Sequence, residues 1–147
     1  MFWIMRKINL VSRCQGLFLA DQLPTPELAA GHHGYLLTVA RQPGISQEAL
    51  ARELCVNKSN VARKLAYLED RGFVERRNSP QDRRVLQVYP TEKLQALLPQ
   101  LRQTAKTWNA YLTADFTEEE MAQFQRCLDR IVDRARNYME HGEAALK

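Results

Sequence analysis

The sequence predicts a mainly α-helical fold with one small β-hairpin, and three observations support this prediction. Apolar residues recur at helical spacing along most of the 147 residues. Proline, glycine and asparagine separate these stretches. Two strand-like runs flank a turn-rich segment at residues 78–82. Because 45% of the residues are hydrophobic and 26% are charged, the composition is that of a single folded domain over residues 1–147.

The N-terminal part of the chain predicts two helices. An amphipathic pattern indicates a helix over residues 4–19, within an N-terminal helical segment of about residues 2–22. Pro24 and Pro26 are expected to end it, because proline disfavours helical geometry in the residue before it. A second short helix is predicted over residues 35–40, and residues 41–44 form a turn.

Two further helices follow in close succession. The first is predicted within residues 45–56, with Ser46 as its N-cap and Glu48 in its first turn. Asn57 is a favourable N-cap for the second, which Gly72 is expected to end. One face of this second helix is apolar, through Val61, Leu65 and Leu68. The opposite face carries Ser59, Asn60, Arg63 and Lys64.

The C-terminal half predicts a hairpin and then two long helices. Residues 73–77 and 85–89 are strand-like, and the turn between them is charged. One long helix opens near Thr91 and contains Pro99, which is expected to kink it. The other opens with a capping box at Thr117 and repeats apolar residues at Met121, Phe124, Leu128, Ile131, Ala135 and Tyr138. We expect residues 2–22 and 91–141 to form a dimer interface.

Two short helices joined by residues 55–57 and followed by a basic hairpin form a winged helix-turn-helix, at about residues 33–90. In such a unit the second helix enters the major groove of double-stranded DNA and the hairpin reaches the neighbouring backbone. Residues 52–84 hold nine basic and five acidic side chains, an excess that equals the net charge of +4 of the whole chain. The pattern therefore favours a DNA-binding surface over a merely solvated charged face.

With these motifs, the chain resembles the multiple-antibiotic-resistance regulators, the MarR family. The resemblance rests on QPGISQEALA at residues 42–51, VNKSNVAR at 56–63, LEDRGFVER at 68–76, DRR at 82–84 and TEK at 91–93. It implies a homodimer that binds a pseudo-palindromic operator and represses transcription. The three widely spaced cysteines indicate a reducing cytoplasm. Where the family usually has leucine and glycine at the start of its fifth helix, this chain has Pro90 and Leu94. We expect Leu94 to pack in the core.

The resemblance also implies the residues that meet DNA. Lys58 is expected to touch phosphate, and the carboxylate of Asp82 is expected to steady Arg84 near the minor groove. The full expected set is Ser46, Gln47, Lys58, Ser59, Asn60, Arg63, Lys64, Arg76, Arg77, Asp82, Arg83 and Arg84.

Many members of this family release DNA when a small, often aromatic anion binds between the dimer helices and the winged domain. The candidate lining residues for such an effector are Trp3, His33, Tyr35, Trp108 and Tyr111. The three cysteines are widely spaced, so neither a disulfide framework nor a CxxC metal site is expected. Cys14 is expected to be buried and unreactive. His32 and His33 are adjacent and poorly placed to ligate one metal, and we expect neither a metal nor a cofactor.

Other function classes fit the sequence less well. An enzyme is not expected, because the chain shows neither a phosphate-binding glycine loop nor metal-ligand spacing nor a nucleophile elbow. A membrane partner is not expected either, since charged residues interrupt the apolar runs near the N-terminus. Two alternatives stay open: a winged-helix module that binds proteins, and a thiol-based redox-sensing regulator that uses Cys14.

Overall fold

The computed structural model describes residues 3–23, 25, 28 and 30–146. The chain divides into two compact units, Met1–Trp108 and Asn109–Lys147. In chain order the elements are α1 (Trp3–Gln22), a 3₁₀ turn (Ala30–His32), α2 (His33–Arg41), β1 (Ile45–Ser46), α3 (Gln47–Glu53), α4 (Lys58–Asp70), β2 (Val74–Asn78), β3 (Leu86–Pro90), α5 (Glu92–Leu112), α6 (Glu118–His141) and a second 3₁₀ turn (Gly142–Leu146). The predicted mainly α-helical fold with a small β wing is confirmed. Helix α1 ends at Gln22, and Pro24 and Pro26, which were expected to end it, lie outside the described residues.

The sheet has three strands, in the order β1-β3-β2, and all pairings are antiparallel. The hairpin of β2 and β3 matches the prediction with a shift of one residue. Strand β1 was not predicted, and the helix expected within residues 45–56 covers only Gln47–Glu53. The backbone N–H of Gly44, at φ +86°, donates to the Val88 carbonyl at 2.8 Å, and Ile45 then pairs with Val88. The short helix α3 ends before Cys55, whose φ of +52° is incompatible with a helix.

The core of the larger unit lies between the short helices and the sheet. Its fully buried side chains are Leu36, Val39, Leu50, Val61, Leu65, Leu68, Phe73, Val74, Val88, Leu94 and Leu101. The predicted inward face of α4 is confirmed, and so is the core position of Leu94. Burying this apolar surface is the main favourable contribution to folding, at about 25 cal/mol per Å².

The helix ends form as the sequence predicts. The side-chain oxygens of Ser46 and Asn57 accept hydrogen bonds from the backbone three residues on, at 3.1 and 2.7 Å. Gly72 follows α4 at φ +75°, a conformation that favours glycine. Thr117 and Glu120 form the predicted capping box of α6. These caps satisfy backbone N–H groups that the first turn of a helix leaves without partners.

Two helices expose much of their apolar surface within the single chain. In α1 the large exposed side chains include Trp3, Leu10 and Leu17. Within α6, all of which the structure describes, no residue is buried, although Phe124 and Ile131 lie on its apolar stripe. Among the described residues, no helix is both long enough and apolar enough to cross a membrane.

Candidate nucleic-acid interface

Helix α4 presents a polar N-terminal face. Because Val61, Leu65 and Leu68 point into the core, the side chains between them are turned outward. The Ser59 hydroxyl donates to Asn57 Oδ1 at 3.0 Å, and Arg63 donates to Asn60 Oδ1 at 3.4 Å. Asparagine and arginine side chains are those that form bidentate contacts with adenine and guanine edges in the major groove.

Lys64 lies at the flank of this polar face. Its ammonium is 3.2 Å from the place where a Cβ on Gly31 would stand, so it lies against the 3₁₀ turn before α2. The structure therefore groups Ser59, Asn60 and Arg63, and places Lys64 beside a different element. Contact between Lys64 and DNA stays a prediction.

A cleft of about 270 Å³ lies where α3, α4 and the wing approach one another. Its lining residues are Ser46, Gln47, Glu48, Lys58, Arg84, Val85 and Leu86. Lys58, the first residue of α4, pairs with Glu48 through an Nζ–Oε1 distance of 2.7 Å. The hydrogen bond and charge of Lys58 hold the pKa of Glu48 below its usual value. The carboxylate therefore stays ionised at neutral pH.

The tip of the wing is an ordered turn. Ser79 N–H donates to the Val85 carbonyl at 2.8 Å, and Asn78 Nδ2 donates to the Arg83 carbonyl at 2.6 Å. Asp82 accepts two hydrogen bonds from the Arg84 guanidinium, both at 3.1 Å, and one from the Arg84 backbone at 3.0 Å. These bonds lower the pKa of Asp82. The expected pairing of Asp82 with Arg84 is thus present, and 90% of the Arg84 side chain is exposed.

Arg76 has a structural environment that the sequence did not reveal. Its Nε and Nη2 donate to Glu69 Oε2 at 2.9 and 2.7 Å, and its backbone N–H donates to Glu69 Oε1 at 2.8 Å. Its Nη1 also donates to Gln47 Oε1 at 3.2 Å. One guanidinium therefore joins β2 to α4 and α3. Only 21% of the Arg76 side chain is exposed, so we assign it a positioning role. Its expected contact with DNA stays a prediction.

Arg77 points to the other side of β2. It donates to both carboxylate oxygens of Glu75, at 2.9 and 2.7 Å, and its guanidinium carbon lies 5.0 Å from the ring centre of Tyr89. The side chain remains more than half exposed, so a phosphate can still reach it. Arg83 is exposed at the tip.

Glu69 was missed in the sequence analysis, although it holds Arg76. An acid at the end of one helix and an arginine seven residues later in a strand give little local signal, because the intervening turn decides whether they meet. The sequence placed Glu48 only in the first turn of its helix, where the helix dipole favours a negative charge. Its pairing with Lys58 was missed because it depends on the angle between α3 and α4.

The five candidate effector residues lie in different environments. Trp3 and Tyr111 are exposed, whereas His33 and Tyr35 are buried. The ring of Trp108 stacks on Phe18 at 4.8 Å. His33 Nε2 lies 3.4 Å from the Leu101 carbonyl, and burial lowers the pKa of His33. Their grouping into one effector site stays a prediction.

The expectation that Cys14 is buried is wrong, because its side chain is exposed on α1. Burial was expected because a free cysteine usually behaves as a small apolar residue, but Cys14 lies on the same exposed side of α1 as Leu10, Val11 and Leu17. Across the described residues, His, Cys, Asp and Glu side chains form no cluster of three that could hold a metal ion.

Comparisons with known proteins agree with this geometry. The model of the MarR family matches residues 28–86. An uncharacterized HTH-type transcriptional regulator of Bacillus subtilis, YybA, is 28% identical over 142 residues and covers 95% of both chains. The crystal structure of MarR is 28% identical, with a TM-score of 0.81 and 93% coverage of each chain. The transcriptional regulator SlyA is 27% identical, with a TM-score of 0.85 and coverage of 93% of this chain and 96% of its own.

We predict that Glu69→Gln lowers the free energy of unfolding by about 1–2 kcal/mol at pH 7, because it removes the charged acceptor of a half-buried guanidinium. Burial raises the pKa of Glu69, but hydrogen bonds and charge from Arg76 outweigh it and leave the pKa below the ordinary 4.5. The pair therefore stabilises the fold above about pH 4.5. This stabilisation is lost as the pH falls through the depressed pKa.

Urea unfolding between pH 3 and pH 7 measures this effect. The difference in the free energy of unfolding between wild type and Glu69→Gln is expected to become smaller below about pH 4.5. The matched control is Glu75→Gln. It breaks the exposed pair of Glu75 with Arg77 on β2, the strand that also holds Arg76, and is expected to lower the free energy of unfolding much less. A Glu69→Gln variant as stable as Glu75→Gln at pH 7 would contradict the positioning role of Arg76.

Proposed function

Because the chain belongs to the MarR family of DNA-binding transcriptional regulators, we propose that it acts in the cytoplasm as a homodimeric, ligand-responsive repressor of a pseudo-palindromic operator. One observation carries the proposal. The outward face of α4, with Ser59, Asn60 and Arg63, lies beside a wing whose Arg84 is held in place by Asp82. This is the pair of elements that a winged helix-turn-helix applies to adjacent grooves.

The proposed contacts divide into two kinds. Asn60 and Arg63 read base edges in the major groove, because both side chains can form bidentate hydrogen bonds there. Lys58, Arg83 and Arg84 bind phosphates or line the minor groove, which positions the protein without reading sequence in the major groove. The amide oxygen of Asn60 accepts from Arg63 in the free protein, so the two side chains are already oriented together.

The apolar surface of α1 and α6 supports the proposed dimer. The α6 stripe follows the spacing of a helix-packing seam, and 55% of Phe124 and 39% of Ile131 are exposed in the single chain. Exposed apolar surface of this kind marks an interaction site. We propose that a second copy covers this surface and that each copy contributes one α4 helix to the same duplex. The operator would then share the two-fold symmetry of the dimer.

One buried polar group supports a response to a small molecule. The Tyr35 hydroxyl is buried and, within the described part of the chain, makes no hydrogen bond. A buried hydroxyl without a partner is unfavourable by about 1–3 kcal/mol, and a polar or anionic effector would supply that partner. By binding one conformation more tightly than the other, the effector would shift the dimer towards a form that cannot span two half-sites.

Selection of bound fragments from genomic DNA tests the proposed function. We expect enrichment of a palindromic promoter fragment and a steep fall of affinity with salt, because each neutralised phosphate contributes about −0.9 to the log–log slope. The protein should lower transcription from that promoter in a purified system. No enrichment above random DNA, or a shallow salt slope, would contradict DNA binding and favour the protein-binding alternative.

Two variants separate base contacts from phosphate contacts on the selected fragment. We expect Asn60→Ala to weaken operator binding by about 1–3 kcal/mol and to leave random DNA nearly unchanged. Arg84→Ala should weaken binding to both duplexes. Fluorescence titration of each variant with both DNAs measures the difference. Equal losses on operator and random DNA for both variants would contradict these roles.

We predict that Phe124→Asp converts the dimer into monomers, because it places a charge in the middle of the apolar stripe. The matched control is Gln125→Asp, which introduces the same side chain at the next, exposed position. Sedimentation equilibrium should give twice the 17.0 kDa chain mass for wild type and Gln125→Asp. A monomeric wild type, or a dimeric Phe124→Asp variant, would contradict the proposed interface.

A further inference from the structure

Glu48 is an acidic residue on the surface that we propose faces DNA. Glu48 lies in the first turn of α3, and Lys58 is the first residue of α4. Their 2.7 Å ion pair spans the cleft that Arg84 also lines. The side chains remain 58% and 77% exposed respectively. The carboxylate therefore lies next to the ammonium expected to bind a phosphate.

The stability of the fold does not explain this arrangement. An ion pair exposed to solvent contributes little to folding. Its larger effect is on the charge that an approaching duplex meets. While Glu48 holds Lys58, the two side chains together are neutral, and phosphate gains little from that position. If Lys58 moves to a phosphate, the carboxylate of Glu48 is left beside the DNA backbone and repels it.

We propose that Glu48 is the internal counterion of Lys58 and thereby limits the affinity of the protein for the DNA backbone. In the free protein the Lys58 ammonium binds Glu48, and in the complex it binds a phosphate oxygen instead. This exchange releases fewer solution counterions than a free lysine would, because the Glu48 carboxylate left without Lys58 retains a cation while the phosphate loses one. The inference rests on the proposed DNA-binding function and assigns a new role to a residue outside the expected contact set.

The first test compares two variants that remove the same charge from the same helix. Glu48→Gln should bind a random duplex about 3–10-fold more tightly, as removing one charge near a phosphate implies. Its log–log salt slope should be more negative by about 0.9 per protomer. The control is Glu53→Gln, at the far end of α3, where the carboxylate pairs with Arg41 and Gln42. Glu53→Gln should leave both the affinity for the random duplex and the log–log salt slope unchanged.

The second test asks whether Glu48 acts through Lys58. In a Lys58→Gln background, adding Glu48→Gln should give less than half of the gain in affinity that it gives in wild type. An equal gain in both backgrounds would show simple repulsion and overturn the counterion role. So would a Glu48→Gln variant that binds no better than Glu53→Gln. A wild-type protein that binds no DNA would instead contradict the proposed function, so the two failures are distinguishable.

Discussion

The geometry of the candidate DNA-binding surface depends on the hydrogen bonds between Arg76 and Glu69. The helix-turn-helix and the wing are separate elements that pack on one shared apolar core. A wing that could swing relative to α4 would not meet a duplex in a defined place. Three bonds to Glu69 and one to Gln47 join β2 to the end of α4 and the start of α3. Because the guanidinium is planar and its donors are fixed, this contact specifies an angle as well as a distance.

The same surface carries acidic side chains next to its basic ones. Four of its cations pair with neighbouring acids, in the pairs Lys58–Glu48, Arg76–Glu69, Arg77–Glu75 and Arg84–Asp82. An acid that keeps its partner in the complex, as proposed for Asp82 with Arg84, orients a long side chain before DNA arrives, which reduces the entropy lost on binding. We infer that the acids also weaken the nonspecific attraction between DNA and the basic side chains with which they pair. A regulator that must find one site among many benefits from both effects.

Local signals predicted most of the fold from the sequence. The caps at Ser46, Asn57 and Thr117 and the inward stripe of α4 were identified correctly, because a few neighbouring residues determine them. Strand β1 was missed because two residues carry no periodicity, and its pairing with β3 joins positions more than forty residues apart. The contacts of the candidate site also differ in whether neighbouring residues alone determine them. The Asp82–Arg84 pair is local, whereas the contacts of Arg76 and Lys58 depend on how the helices pack.

The most direct test of the central claim is hydroxyl-radical footprinting of the wild-type protein on its selected operator. A dimer that places two α4 helices in the major groove predicts two protected half-sites related by a two-fold axis. Their centres should lie about one helical turn, or a multiple of it, apart. Flanking protection in the minor groove should mark the two wings. A single unsymmetrical patch of protection, or protection without the wing positions, would contradict the account.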